Sequence, residues 1–435
     1  MGGGKDYSRG LKYDLQPTTV TTNRAQEVIA RCLKLASFTE TPGSVRRTFL
    51  SPPMRDCHRE IIKWMEPLGA QVSVDAAGNL RALYPATKAD GPRLLIGSHL
   101  DTVPNAGAYD GILGVVLAVT LLEGLQGRHL PFAIEVIAFS EEEGVRFRTP
   151  FIGSRALVGR LDDQLLNTQD AQGITVRKAI EDFGLNPENI PQAKLGNDVL
   201  GYLEFHIEQG PVLESLNQPL ATVEAIAGQS RLEFTFVGRA NHAGTTPMHL
   251  RHDAIAGAAE WIGTVEGLAR DVLELVATVG KIEAQPGAAN VIAAETRLTL
   301  DVRHRADNVR AHAVDELIRQ ACEIAARRRL TVREKVLSSQ PAVAMDTFLT
   351  AEIDKAILKT ECNPHRMVSG AGHDAMIMAE KVPSAMIFLR TPGGISHNPA
   401  ESVAVEDVEK AIECGLHFLD QLASSPELHK RMNRA

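Results

Sequence analysis

The sequence predicts an α/β protein built on a mixed sheet, interrupted by an inserted α+β unit of ferredoxin-like pattern. Three observations carry this. Apolar runs such as RLLIGSHLD and FAIEVIAFS end abruptly in charged residues, as strands covered on both faces of an α/β sheet do. The stretch Gly111–Leu125 is apolar on every side, which suits a buried helix. From about Gln229 the order changes to strand, helix, strand, strand, helix, strand.

Along the chain, residues 1–21 read as a flexible N-terminal segment. Helices are expected over Thr22–Leu35 and from Pro53 to Leu68. The strands QVSVDAAG, NLRALYP and RLLIGSHLD follow, then the buried helix and the strand FAIEVIAFS. The inserted unit, residues 228–339, holds RLEFTFVG, a helix Asp253–Leu268, ELVATVGKIEA, TRLTLDVRH, a helix Asn308–Ala326 and TVREKVL. The first domain is therefore discontinuous, 22–227 and 340–435, which suits 435 residues being too many for one core. Its second part holds a helix Phe348–Lys359, the strand SAMIFLR and a helix Val405–Leu422.

Composition narrows the functional classes. Hydrophobic residues make up 44% and charged residues 23%, as in a globular protein. A net charge of -8 with no Lys/Arg stripe argues against a nucleic-acid partner. The basic patches VRRTFL and Arg327–Arg329 read as solvated faces. Five scattered cysteines without a CxxC pair fit a reducing compartment. The start, MGGGKDYSRGLKYDLQ, lacks the apolar core of a signal peptide. No run reaches the roughly 20 apolar residues a membrane span needs. A cytoplasmic protein without a membrane partner is expected.

Metal-type ligands recur at the ends of the apolar runs. They are His99 and Asp101 in GSHLDTV, Asp110 in YDGILGV, Glu142 and Glu143 in SEEEGVRF, His206 in FHIEQGP and His397 in GGISHNPAES. His99 and Asp101 point the same way from a strand, so Asp101 can orient His99 or a neighbouring ligand. A capping or core role serves that pair equally well. Asp110 precedes an apolar helix and can cap it, or can bridge two cations with one oxygen each. Adjacent Glu142 and Glu143 repel unless a cation compensates, and the Glu left free can take a proton from an activated water. A solvated acidic turn is the plain alternative, and a lone His206 or His397 reads as structural. Occurring together and in order, these residues specify a two-metal hydrolytic centre.

The motifs GSHLDTV, DGILGV, EEGVRF, HIEQGPVLE, NHAGTTPM, SGAGHDA and GISHNPAE, in order between Gly97 and Glu401, carry a resemblance that covers roughly residues 22–425. The chain resembles the hydantoinase/carbamoylase branch of the M20-type amidohydrolases. That branch includes N-carbamoyl-L-amino acid hydrolases, β-ureidopropionases and allantoate amidohydrolases. The resemblance implies a di-metal hydrolase domain with the inserted unit as lid and dimerisation domain. It implies two divalent ions per subunit, Zn, Mn, Co or Ni. One would be held by His99, Asp110 and His206, the other by Asp110, Glu143 and His397. Glu142 would be the general base, with Glu141 outside the site and Asp101 an orienting group. His206 stands where the peptidase and aminoacylase branches carry a carboxylate.

By the same resemblance Gln209 faces the substrate and His242 donates to the developing oxyanion. Asn290 and Arg303 would clamp a substrate carboxylate, a task suited to the planar guanidinium fork. Gly372 and His373 would contact substrate. Without the resemblance, His242 reads as a strand-end histidine and Arg303 as a surface ion pair. The implied partners are a small ureido carboxylate and a second subunit, in a homodimer joined through the lid domain. The implied reaction is hydrolysis of the carbamoyl bond of an N-carbamoyl-L-amino acid. Allantoate, N-carbamoyl-β-alanine, N-acyl amino acids and dipeptides are competing substrates, and a non-catalytic metal-binding protein is the remaining reading.

Overall fold

Four strands of almost wholly apolar sequence are buried along their length and lie parallel, side by side. Their spatial order is Ser384–Leu389, Val199–Ile207, Arg93–His99, Ala133–Phe139. The computed structural model describes residues 18–88 and 91–432. Antiparallel neighbours extend these four on both sides, Leu220–Ile226 beyond one end and Leu80–Tyr84 beyond the other. The result is a mixed nine-stranded sheet. Because the central strands are parallel, their C-terminal ends open onto one edge, where α/β sheets build sites.

Helix Ile112–Gly124 has no polar face because it is buried between this sheet and two further helices, Thr18–Ala36 and Val405–Ala423. Gly114 lets it approach closely: a Cβ there would lie 2.1 Å from the Phe205 carbonyl oxygen.

The second unit is a four-stranded antiparallel sheet of Gly228–Val237, Val276–Gln285, Glu295–His304 and Thr331–Gln340. Numbered within the unit, the strand order is second, third, first, fourth, as in ferredoxin-like folds. Helices Ala254–Asp271 and Asp307–Arg327 pack over it. Their core centres on Trp261, which lies against Phe234 and donates to the Leu317 carbonyl at 2.9 Å.

Several boundaries differ from the sequence expectation. The first helix begins at Thr18, not Thr22; residues 1–17 of the N-terminal segment lie outside the described residues. The helix expected to reach Leu68 runs over Pro52–Met65 and tightens into a 3-10 turn, Glu66–Leu68, where Pro67 offers no N–H. Asp253, expected inside its helix, instead caps Ala254–Asp271, accepting from the amides of Ile255 and Ala256. Among the described residues no helix is long and apolar enough to cross a membrane.

Helix Pro52–Met65 buries His58 edge-on against Phe183, and its Nε2 has no hydrogen-bond partner among the described residues. Burial, with the charges of Arg47 and Arg55, pushes its pKa down to about 4. The unfolded chain therefore takes up a proton near pH 6.5 that the folded chain refuses until about pH 4. Stability from this group is present above pH 6.5 and lost as pH falls toward 4, in all about 3 kcal/mol. Urea denaturation should show the protein losing that much more stability between pH 7 and 4 than a His58→Gln variant. Parallel pH profiles would refute this.

Candidate metal centre

His99 ends its strand at the open edge of the sheet, and His206 lies near the end of the adjacent one. The Nδ1 of His99 meets the Asp101 carbonyl at 3.0 Å, and that of His206 meets the Ile207 carbonyl at 2.8 Å. A carbonyl only accepts, so each ring carries a proton on Nδ1, which leaves Nε2 as the atom that would turn to a cation. The two Nε2 atoms stand 3.5 Å apart. Asp110 reaches between them, with Oδ1 3.1 Å from His206 Nε2 and 3.7 Å from His99 Nε2. Its other oxygen, Oδ2, is 3.2 Å from His397 Nε2, which in turn is 3.6 Å from Glu143 Oε1.

Two triads result, His99–Asp110–His206 and Asp110–Glu143–His397, sharing Asp110 with one oxygen turned to each. Within each triad the donor atoms lie within 4.8 Å of one another, and His99, Glu142 and Glu143 form a third such group. Nitrogen and carboxylate donors at this spacing fit divalent cations.

Local backbone makes this possible. Asp110 does not cap the helix that follows; Gly111 holds the cap position at φ +67°. A Cβ on Gly111 would sit 2.4 Å from His99 Nε2, so only glycine leaves the imidazole its place. The Asp101 carboxylate accepts the amides of Glu142 at 2.9 Å and Glu143 at 3.0 Å. It thus fixes the acidic turn, while its carbonyl orients His99. Glu401, which the sequence reading did not single out, accepts the amides of Tyr109 at 2.8 Å and Asp110 at 3.0 Å.

The charges explain why the cluster calls for cations. Burial drives the Glu142 carboxyl well above its usual range; His99 opposes this, and Glu143, Asp374 and Asp101 reinforce it. Glu143 is pushed up to about 7 by burial and the Asp110 charge. Burial also acts on Asp110, but hydrogen bonds from His206 and His397 hold it well below the carboxylate range. Burial lowers His99, yet Asp101, Glu142 and Asp110 outweigh it and hold the imidazole well above its normal value. Buried Glu204 and Asp374 lie in the same region, and burial pushes both carboxyls above their usual range. In such a site protons stand in for metal ions.

The remaining residues singled out in the sequence fall into three places. Gln209 lies on the cluster itself, donating from Nε2 to Asp110 Oδ2 at 2.9 Å. His373 packs behind it, its ring edge-on to His206 and its Nε2 2.8 Å from Ser369 Oγ. Burial depresses its pKa well below the normal histidine value. Gly372 sits beside Phe151, whose Cζ a Cβ would approach to 3.0 Å.

Arg303 lines a cleft of about 930 Å³ between the two sheets, together with Gln209, Arg231 and Phe388. Its fork is closed by Asp301 at 2.8 and 3.0 Å, and it donates across the cleft to the Gly370 carbonyl. His242 and Asn290 are neighbours on the second unit, joined by the Ala243 amide donating to the Asn290 carbonyl. Both are exposed. Among the described residues neither bonds to the ligand cluster.

The model of peptidase family M20/M25/M40 matches residues 95–421. Allantoate deiminase 2 of Glycine max is 37% identical over 431 residues, covering 91% of this chain and 89% of that protein. The N-carbamoyl-L-amino acid amidohydrolase of Geobacillus stearothermophilus is 37% identical over 399 residues, covering 90% and 97%. The crystal structure of a hydantoinase/carbamoylase family amidase from Burkholderia multivorans superposes with a TM-score of 0.87 at 30% identity, covering 92% and 98%.

Proposed function

The chain belongs to peptidase family M20/M25/M40, in its hydantoinase/carbamoylase amidohydrolase branch, and from that premise we propose a substrate and a mechanism. The substrate is an N-carbamoyl-L-amino acid, hydrolysed to the amino acid, ammonia and carbon dioxide. The observation that carries the reading is Asp110, whose two oxygens address two separate triads completed by His99 and His206 and by Glu143 and His397.

Each triad would hold one divalent ion, of Zn, Mn, Co or Ni. When bound, the ions supply Lewis acidity that polarises the ureido carbonyl and makes water nucleophilic near neutral pH. Glu142, set in place by Asp101 through its backbone amide, takes the proton of the attacking water. The burial that raises its pKa also lets it hold that proton until the C–N bond breaks, then deliver it to the leaving nitrogen. The new C–O bond leaves a carbamate, which decomposes to ammonia and carbon dioxide. His242 donates to the oxyanion. Arg303 and Asn290 bind the substrate carboxylate, while Gln209, Gly372 and His373 border the bound substrate.

His242 and Asn290 are exposed on the second unit, and we assign them to the centre of a partner subunit, in a homodimer joined through these units. The five free cysteines suit a cytoplasmic setting. Allantoate is the second reading: the deiminase and the carbamoyl hydrolase stand at equal identity, and both substrates offer a carboxylate and a ureido group.

The test is ammonia release after reconstitution with each metal. The panel is carbamoyl α-amino acids, carbamoyl-β-alanine, allantoate, N-acyl amino acids and dipeptides. No ammonia from any ureido compound would sink the reading. On the best substrate, Arg303→Ala should raise KM by at least about tenfold, the value of one lost charge-assisted hydrogen bond, with kcat little changed. An unchanged KM removes Arg303 from the clamp.

A further inference from the structure

The two oxygens of Asp110 are in different circumstances. Oδ1 faces the imidazoles of His99 and His206. Oδ2 faces His397 and also accepts Gln209 Nε2 at 2.9 Å and Ser396 Oγ at 3.1 Å. A carboxylate oxygen has two lone pairs, so Gln209 and Ser396 compete for them with His397 Nε2, 3.2 Å away, and three donors crowd Oδ2. An ion of the Asp110–Glu143–His397 triad needs one of those lone pairs.

The rest of the triads differ in the same sense. His99 and His206 are buried and braced by carbonyls, whereas the His397 side chain is 50% exposed on a backbone of φ +55°. Gln209 is itself held in an unusual posture. Its backbone is left-handed at φ +58°, and its amide is tied to Thr391 Oγ1 at 3.1 Å. Its Nε2 also reaches Ser396 Oγ at 3.2 Å, while its Oε1 is buried with no hydrogen-bond partner among the described residues. An amide with one end bonded and the other orphaned is poised to turn.

We propose that Gln209 and Ser396 form a latch on Asp110 Oδ2 that makes the two cation subsites unequal. The His99–Asp110–His206 triad fills first and tightly. The Asp110–Glu143–His397 triad fills second and weakly, once the Gln209 amide has left Oδ2. This rests on the two-ion reading of the site. Gln209 thereby acts through Asp110 as a positioning residue, and metal affinity reports it more directly than turnover.

The experiment titrates the metal-stripped full chain with Co²⁺, followed by calorimetry and by visible absorption. Two binding events are expected, with dissociation constants at least about tenfold apart. Gln209→Asn keeps a residue that tolerates left-handed backbone but shortens the reach of its amide. It should tighten the weaker event by about tenfold, the worth of one hydrogen bond to a charged acceptor, and leave the tighter event unchanged. Ser396→Ala should act in the same direction, and serves alone if the first variant fails to fold. Two equal events, or no selective change in the weaker event in either variant, would overturn the latch. Absence of any binding would overturn the two-ion reading instead.

Discussion

Glu142→Gln should lower kcat by about 10³-fold while two ions remain bound per subunit. Glutamine keeps the volume of the side chain and the backbone amide that Asp101 holds at 2.9 Å, so the acidic turn stays in place. What it loses is the capacity to accept a proton. Glu142 lies in one of the three donor groups, with His99 and Glu143, so a role as ligand is the competing explanation. The pairing of measurements separates them. Lost activity with full metal content, by elemental analysis after dialysis, supports the base; lost metal makes Glu142 a ligand. Full activity would refute both.

Gly111→Ala should be nearly as damaging, although it adds one methyl group and removes no donor. At φ +67° a non-glycine residue carries strain of about 1–3 kcal/mol. The added Cβ would lie 2.4 Å from His99 Nε2, where no shift of a flexible tip can relieve the contact. The imidazole must move, and the subsite it shares with Asp110 and His206 loses its geometry. Activity should fall by at least about 100-fold, as expected for a misplacement near 1 Å, and metal content by about one ion per subunit. Retained metal with normal activity would show that the helix start can shift without disturbing His99.

The parts of the fold that the sequence made plain are those where burial is symmetrical. Arg93–His99 and Ala133–Phe139 are covered on both faces, so their apolar runs stand out and stop where the site begins. The inserted unit was readable because Glu295–His304 alternates between core and solvent. Val199–Ile207 is equally central and equally buried, yet it did not stand out as a strand. Glu204 and His206 break its apolar pattern. Glu204 can be buried there only because Ser98 Oγ and the Ala375 amide take its two oxygens.

The candidate site divides in the same way. Residue types and motifs pointed to His99, Asp110, Glu143, His206 and His397, which the structure gathers at the edge of the sheet. Glu401 and Ser396 sit inside a motif already noted, but their partner is almost three hundred residues earlier in the chain. No local pattern announces such a pairing. For Arg303 the missing signal was close at hand. Asp301 stands two positions earlier on the same strand and face, and it occupies the guanidinium fork.

The sharing of Asp110 also has a topological consequence. His206 precedes the whole second unit and His397 follows it, so two cations held on Asp110 would close a loop containing that entire unit. Closing so long a loop restricts the unfolded chain as a cross-link does. Metal binding would then act as a reversible staple between the two segments of the chain that flank the inserted unit. Resistance to heat should rise with the logarithm of free metal concentration, and a chelator should loosen the two segments of the first domain from each other before it disturbs the inserted unit.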